Sequence, residues 1–135
     1  MIVLDAAAAV HYLLRREPGR TWLADRIENC DVLHAPHLLD FEAASALRRL
    51  VQVGEVAAER GLLALSQIDE LHLVRYPAAR LRERIWELRS NLTAYDAAYV
   101  ALAEVLEMPL VTTDTRLARS AGHTAEILTP VGDAV

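Results

Sequence analysis

Four carboxylates differ from the chain's other acids in the company they keep. They are Asp5 in MIVLDAAAAV, Glu42 in HLLDFEAASALRRL, Asp96 in LTAYDAAYVALAE and Asp114 in PLVTTDTRLA. Asp5 ends a short apolar, β-prone run, and Asp114 closely follows another. Glu42 and Asp96 lie near the starts of helical patterns. Three of the four have a local structural explanation. Asp5 and Asp114 suit N-cap positions, where a carboxylate accepts from the free amides of a helix start. Thr93-x-x-Asp96 has the spacing of a capping box. Glu42 is harder to explain this way. At about 100° per residue it falls beside Leu39, Ala46 and Leu50, on the border of an apolar stripe. Ala46 occupies the i+4 position where a cationic partner would stand, and Arg49 lies two turns on. An unpaired carboxylate in that setting is costly.

The elements that must position these acids alternate. Strand-like runs at residues 2–4, 32–35, 71–75, 110–112 and 126–128 are separated by helical patterns. Those patterns are 6–14 with 21–28, 38–51 with 55–68, 79–88 with 94–106, and 115–121. Strands separated by helices predict a parallel sheet covered on both faces. Gly54 is expected to divide two helices and Gly122 to close the last one as a C′ residue. Pro36 and Pro77 follow the second and third strands, and Pro109 precedes the fourth. No linker or repeat interrupts the pattern, so residues 1–135 read as one α/β domain.

In such a sheet, ligands bind beyond the carboxyl ends of the strands. All four acids then converge at one end, where without matching cations they would repel and raise one another's pKa values. A hard divalent cation resolves this, because Mg²⁺ or Mn²⁺ prefers oxygen ligands and commonly combines carboxylates with substrate phosphate. The chemistry that follows is phosphoryl transfer with a metal-activated water.

Composition bounds the alternatives. The chain has 135 residues, 53% of them hydrophobic, and a net charge of −5, which argues against nucleic-acid binding driven by bulk charge. All 14 basic residues are arginine. Several cluster: Arg15, Arg16 and Arg20; Arg48 and Arg49; Arg80, Arg82, Arg84 and Arg89. Such groups either solvate helix faces or grip phosphate. The single cysteine, Cys30, excludes an internal disulfide and a cysteine-rich zinc site. The five histidines form no H-x-x-x-H pair, and there is no glycine-rich phosphate loop. Trp22 and Trp86 lie in helical patterns and read as core or interface. No apolar run approaches the ~20 residues of a membrane span, so a soluble, cytoplasmic protein is expected.

From MIVLDA to VTTDTRLA, over nearly its whole length, the chain resembles a PIN domain, and within that family a VapC-type ribonuclease toxin. The resemblance implies a three-layer α/β/α fold with a parallel sheet of strand order 3-2-1-4-5. It implies that Asp5, Glu42, Asp96 and Asp114 form an acidic quartet holding Mg²⁺, or Mn²⁺ in its place. It further implies endoribonuclease activity leaving 5′-phosphate and 3′-hydroxyl ends, homodimers, and inhibition by a cognate VapB-like antitoxin. Such antitoxins often place an arginine in the acidic site. Thr112 matches a Ser/Thr near the metal site, and Arg116 is a candidate RNA contact. The chain departs from the family at Ala7, where a hydroxyl is common, and at Thr115 and Arg116, where a further acid is common. Two rivals follow. One is another Mg²⁺-dependent phosphohydrolase, although Ala7 breaks the D-x-D that a haloacid-dehalogenase-like enzyme needs. The other is a catalytically weak PIN domain acting as an RNA- or antitoxin-binding scaffold.

Overall fold

The first strand shows how the layers form. In the computed structural model, which describes residues 1–130, β1 (Ile2–Leu4) is buried throughout. Successive side chains of a strand point to opposite faces. Ile2 and Leu4 accordingly enter one apolar cluster and Val3 enters another. A strand buried on both faces belongs inside a parallel sheet with helices on each side.

That sheet contains β1, β2 (Leu33–Pro36), β3 (Leu73–Tyr76), β4 (Leu110–Val111) and β5 (Ile127–Leu128). All neighbours are parallel, in the order β3-β2-β1-β4-β5. Val3 is in register with His34 on one side and Leu110 on the other. On one face lie α1 (Ala6–Leu13), α2 (Arg20–Glu28), α3 (Leu38–Gln52) and α4 (Ala58–Ser66). On the other lie α5 (Arg82–Glu87), α6 (Ala94–Leu106) and α7 (Thr115–Ala118). This is the expected three-layer α/β/α arrangement and strand order. Among the described residues no helix is long and apolar enough to cross a membrane.

The chain runs outward from β1 to β3 and then returns to place β4 on the other side of β1. The switch point therefore lies between β1 and β4, and α1 and α7 leave it toward opposite faces. Backbone bonds hold the two strands together there, from Val3 N to Pro109 O (2.9 Å) and from Asp5 N to Val111 O (3.2 Å). α6 is buried from Ala97 to Ala103 without interruption. Burying each larger side chain in that run contributes roughly 1.5–3 kcal/mol, and the intervening alanines let the helix lie close on the sheet.

Several expected boundaries move. The third strand starts at Leu73 rather than at residue 71, because a 3₁₀ turn (Gln67–Leu71) ends at His72 in a left-handed conformation (φ 49°). Gly54, at φ 79°, does divide two helices, but the second begins only at Ala58. The segment 79–88 splits into a 3₁₀ turn (Ala78–Arg80) and α5. Pro36 is the last residue of β2 rather than the first beyond it. α7 ends at Ala118 with Arg119 as its C-cap, so Gly122 is not its C′ residue. Gly122 is required for another reason: its φ is 89°, and a Cβ there would stand 2.8 Å from Asn91 Oδ1.

Candidate active site

Asp5 directly follows β1 and N-caps α1, with Oδ1 accepting from Ala8 N at 2.8 Å. Its other oxygen, Oδ2, accepts from the Thr112 hydroxyl, which β4 delivers from the far side of the switch point. Thr112 is fully buried, and its Oγ1 also accepts from Asp114 N at 2.9 Å. One hydroxyl thus ties the two strand-end acids together. Asp114 caps α7, with Oδ1 accepting from Arg116 N at 2.9 Å and Leu117 N at 3.3 Å. Ala7 is exposed and takes no part in this network.

The other two acids arrive on helices. Asp96 is the third residue of α6, and its amide donates to the Thr93 hydroxyl at 3.2 Å. Glu42 is half-buried in the second turn of α3 and makes no ion pair among the described residues. Its neighbour Asp40 is committed elsewhere, to Arg75 of β3 at 2.6 and 2.9 Å, which pins the start of α3 to the sheet. Sequence reasoning missed Tyr99, whose hydroxyl is buried against Glu42 and has no bond of ordinary geometry. Its signal was a hydroxyl in the otherwise apolar run of α6, three residues after Asp96. It also missed Phe41 and Tyr95, exposed aromatics that each directly precede one of the acids.

Electrostatically the four acids form a ring. Burial pushes Asp5 up to about 7, against the pull of Thr112 and Ala8, with Asp114 and Glu42 adding repulsion. Burial also raises Glu42; Tyr99 lowers it and Asp96 repels it. The Tyr99 hydroxyl makes no regular hydrogen bond to Glu42, so its pull is weak. Asp96 is raised by burial first, lowered by Arg116, and raised again by Asp114. Repulsion thus links Asp5 to Asp114 and Glu42, Glu42 to Asp96, and Asp96 to Asp114.

The side chains are not closed around a common centre. Among the described residues no three Asp, Glu, His or Cys side chains form a ready cation cage. Arg116 Nη2 lies 3.5 Å from Asp96 Oδ2 and 3.3 Å from Asp114 Oδ2. Two cavities flank the acids. One of about 310 Å³ is lined by Leu38, Phe41, Glu42, Ser45, Arg49 and Tyr95. The other, about 260 Å³, is lined by Asn91, Thr93, Asp96, Arg116 and Ser120 among others. A larger cavity of about 450 Å³, bordered by Tyr12, Arg15, Arg20, Glu28 and Glu70, contains none of the four acids. Two arginines outside the site have structural work. Arg84 binds Glu104 at 2.8 Å and Glu87 at 3.1 Å. Arg89 lies over Trp86, which is 66% exposed and so does not belong to the core.

In a parallel α/β/α domain the carboxyl edge at the switch point, where these carboxylates gather, is the place where ligands bind. Residues 2–122 match the PIN domain, and the chain belongs to this family, among its VapC-type members. It is 50% identical over 117 residues to VapC ribonuclease Mb0985 of Mycobacterium bovis, covering 87% of this chain and 88% of that relative. It is 44% identical over 126 residues to ribonuclease VapC1 of Mycobacterium tuberculosis, covering 93% and 94%. Its fold matches that of Mycobacterium tuberculosis VapC20, a sarcin-ricin loop cleaving toxin. There the TM-score is 0.67 at 14% identity, over 92% of this chain and 97% of that one.

Proposed function

We propose that this chain is a metal-dependent endoribonuclease, the toxin of a VapBC-type toxin–antitoxin pair. The observation that carries the proposal is the ring of four acids at the carboxyl edge of the sheet, three of them with raised pKa values. Such groups are costly to ionise together and are reconciled by a divalent cation. The donor set fits one: every candidate ligand is a carboxylate oxygen, as Mg²⁺ or Mn²⁺ prefers. Asp5, Glu42, Asp96 and Asp114 would hold the ion. When bound, it supplies the Lewis acidity that activates water and offsets charge on the attacked phosphate.

The protein's own contribution is positioning. Thr112 fixes the orientation of Asp5 through a bond across the switch point. Phe41 and Tyr95 offer exposed ring faces beside the acids, suited to stacking on unpaired bases. Arg116, 77% exposed at the same edge, is placed to meet phosphate. Hydrolysis joins the water oxygen to phosphorus and breaks the bond to the 3′ oxygen, leaving a 3′-hydroxyl and a 5′-phosphate. In our reading the cytoplasmic chain works as a homodimer. It is silenced by a VapB-like antitoxin, whose arginine would find the same carboxylates attractive.

The test is cleavage of total RNA with Mg²⁺ or Mn²⁺ by wild type, Asp5→Asn and Asp96→Asn. Each variant is expected to lose at least about 100-fold in rate, the scale of a displaced catalytic group. Equal cleavage by all three proteins overturns the mechanism. One observation favours the scaffold reading instead: Arg116 sits where a cation would. A wild-type chain that binds RNA but gives no Mn²⁺ isotherm would establish that reading.

A further inference from the structure

We propose that Arg116 is a built-in competitor of the metal: its guanidinium bridges Asp96 and Asp114 in the metal-free chain and yields them to the divalent ion. This rests on the metal-binding reading above and adds a regulator of affinity to it. Both oxygens of Asp114 are in use. Oδ1 accepts from the amides of Arg116 and Leu117, while Oδ2 faces the Arg116 guanidinium at 3.3 Å. The capping bonds are part of α7 itself, so an ion reaching Asp114 finds Oδ2 the freer oxygen and competes there with the guanidinium. The same Nη2 lies 3.5 Å from Asp96 Oδ2, and Arg116 makes the only ion pairs to any of the four acids among the described residues.

Exposure sets the strength of this contact. The Arg116 side chain is 77% exposed, against 25% for Asp96 and 32% for Asp114. An exposed pair is weak, so Arg116 offsets repulsion between the acids without locking them. One nitrogen, Nη2, makes both contacts, so the bridge depends on the reach of the side chain as well as on its charge. The guanidinium also has somewhere to go, because it already borders the cavity lined by Asn91, Thr93 and Ser120. Arg119 provides an internal control. It is exposed, three residues further along, carries the same charge and contacts neither acid.

The experiment is calorimetric titration of the full chain with Mn²⁺, using wild type, Arg116→Ala, Arg116→Lys and Arg119→Ala, with metal-free thermal melts of each. Arg116→Ala is expected to bind Mn²⁺ about fivefold more tightly than wild type, the worth of one exposed ion pair. Its metal-free midpoint should fall. Arg116→Lys should bind more tightly than wild type but less tightly than Arg116→Ala, and Arg119→Ala should match wild type. Equal tightening by Arg116→Ala and Arg119→Ala overturns the proposal, because general charge would then explain the effect. Weaker Mn²⁺ binding by Arg116→Ala also overturns it. No Mn²⁺ binding by wild type, unchanged by Asp5→Asn, overturns the metal reading itself and is distinct from either result.

Discussion

Thr112 shows how one residue can serve structure and site together. Its hydroxyl donates to Asp5 Oδ2 and accepts from Asp114 N, so losing it frees a buried carboxylate oxygen and a helix-start amide at once. Thr112→Val keeps the shape and removes the oxygen. It is expected to cost about 1–3 kcal/mol in chemical denaturation, and to weaken Mn²⁺ binding by 10–100-fold, the usual effect of losing a ligand's supporting bond. Mn²⁺ affinity unchanged in this variant would remove Thr112 from the site. Capping and ligation first appear as competing explanations of Asp5 and Asp114, yet a carboxylate has two oxygens. In both residues Oδ1 caps a helix while Oδ2 points elsewhere. The capping signals in the sequence were correct, and each cap leaves Oδ2 outside it. Tyr99 was less legible, because a tyrosine in an apolar helix reads as packing until its hydroxyl is placed against Glu42.

At the scale of elements, α6 is held at its end by charge as well as by packing. Glu104 accepts from Arg84 Nε at 2.8 Å, from Thr124 N at 2.9 Å and from Thr124 Oγ1 at 3.1 Å, joining α6 to α5 and to the approach to β5. The Arg84 hydrogen bond is the main reason its pKa falls to about 2, with the Thr124 bonds helping against burial. Because the folded pKa lies below the ordinary 4.5, this contribution is present above 4.5 and is lost as pH falls toward 2. Glu104→Gln should therefore destabilise the protein at neutral pH by about 1 kcal/mol, discounted because Arg84 is partly exposed. The gap from wild type should close between pH 4.5 and 2 in urea titrations. A gap independent of pH would mean that packing carries the link. Element order and type were legible because punctuation and periodicity agreed with the sheet. Boundaries were less so where 3₁₀ turns intervened, since Leu71 reads equally as strand or turn until His72 adopts its left-handed backbone. The periodicity of α6 understated its burial: Ala97, Val100, Ala101 and Ala103 suggested one face, but Ala97–Ala103 is buried all round.

For the whole molecule, the fold brings four of the chain's 19 acids to one edge, so folding and ionisation oppose each other there. The convergence was legible from the alternation of strands and helices, which implied a parallel sheet. The turning of Asp96 and Asp114 toward Arg116 was not, because side-chain direction depends on which charges meet in space. Asp5 leads the pH dependence of this edge, with Glu42 and Asp96 shifted the same way. Its folded pKa, near 7, lies above the ordinary 3.8, chiefly through burial. The folded state therefore holds this proton more tightly than the unfolded chain, and the stabilisation is complete below 3.8 and lost as pH rises through 7. Metal-free wild type should accordingly lose thermal midpoint as pH rises from 3.8 to about 7. Asp5→Asn keeps a capping oxygen and removes the charge. It should flatten that slope, stabilise the metal-free chain at neutral pH by roughly 1–3 kcal/mol, and abolish the stabilisation that Mn²⁺ gives wild type. Scanning calorimetry at several pH values, with and without Mn²⁺, measures all three effects. If Asp5→Asn melts below wild type at neutral pH without metal, the charge of Asp5 is already compensated within the protein, and the edge needs no cation to be stable.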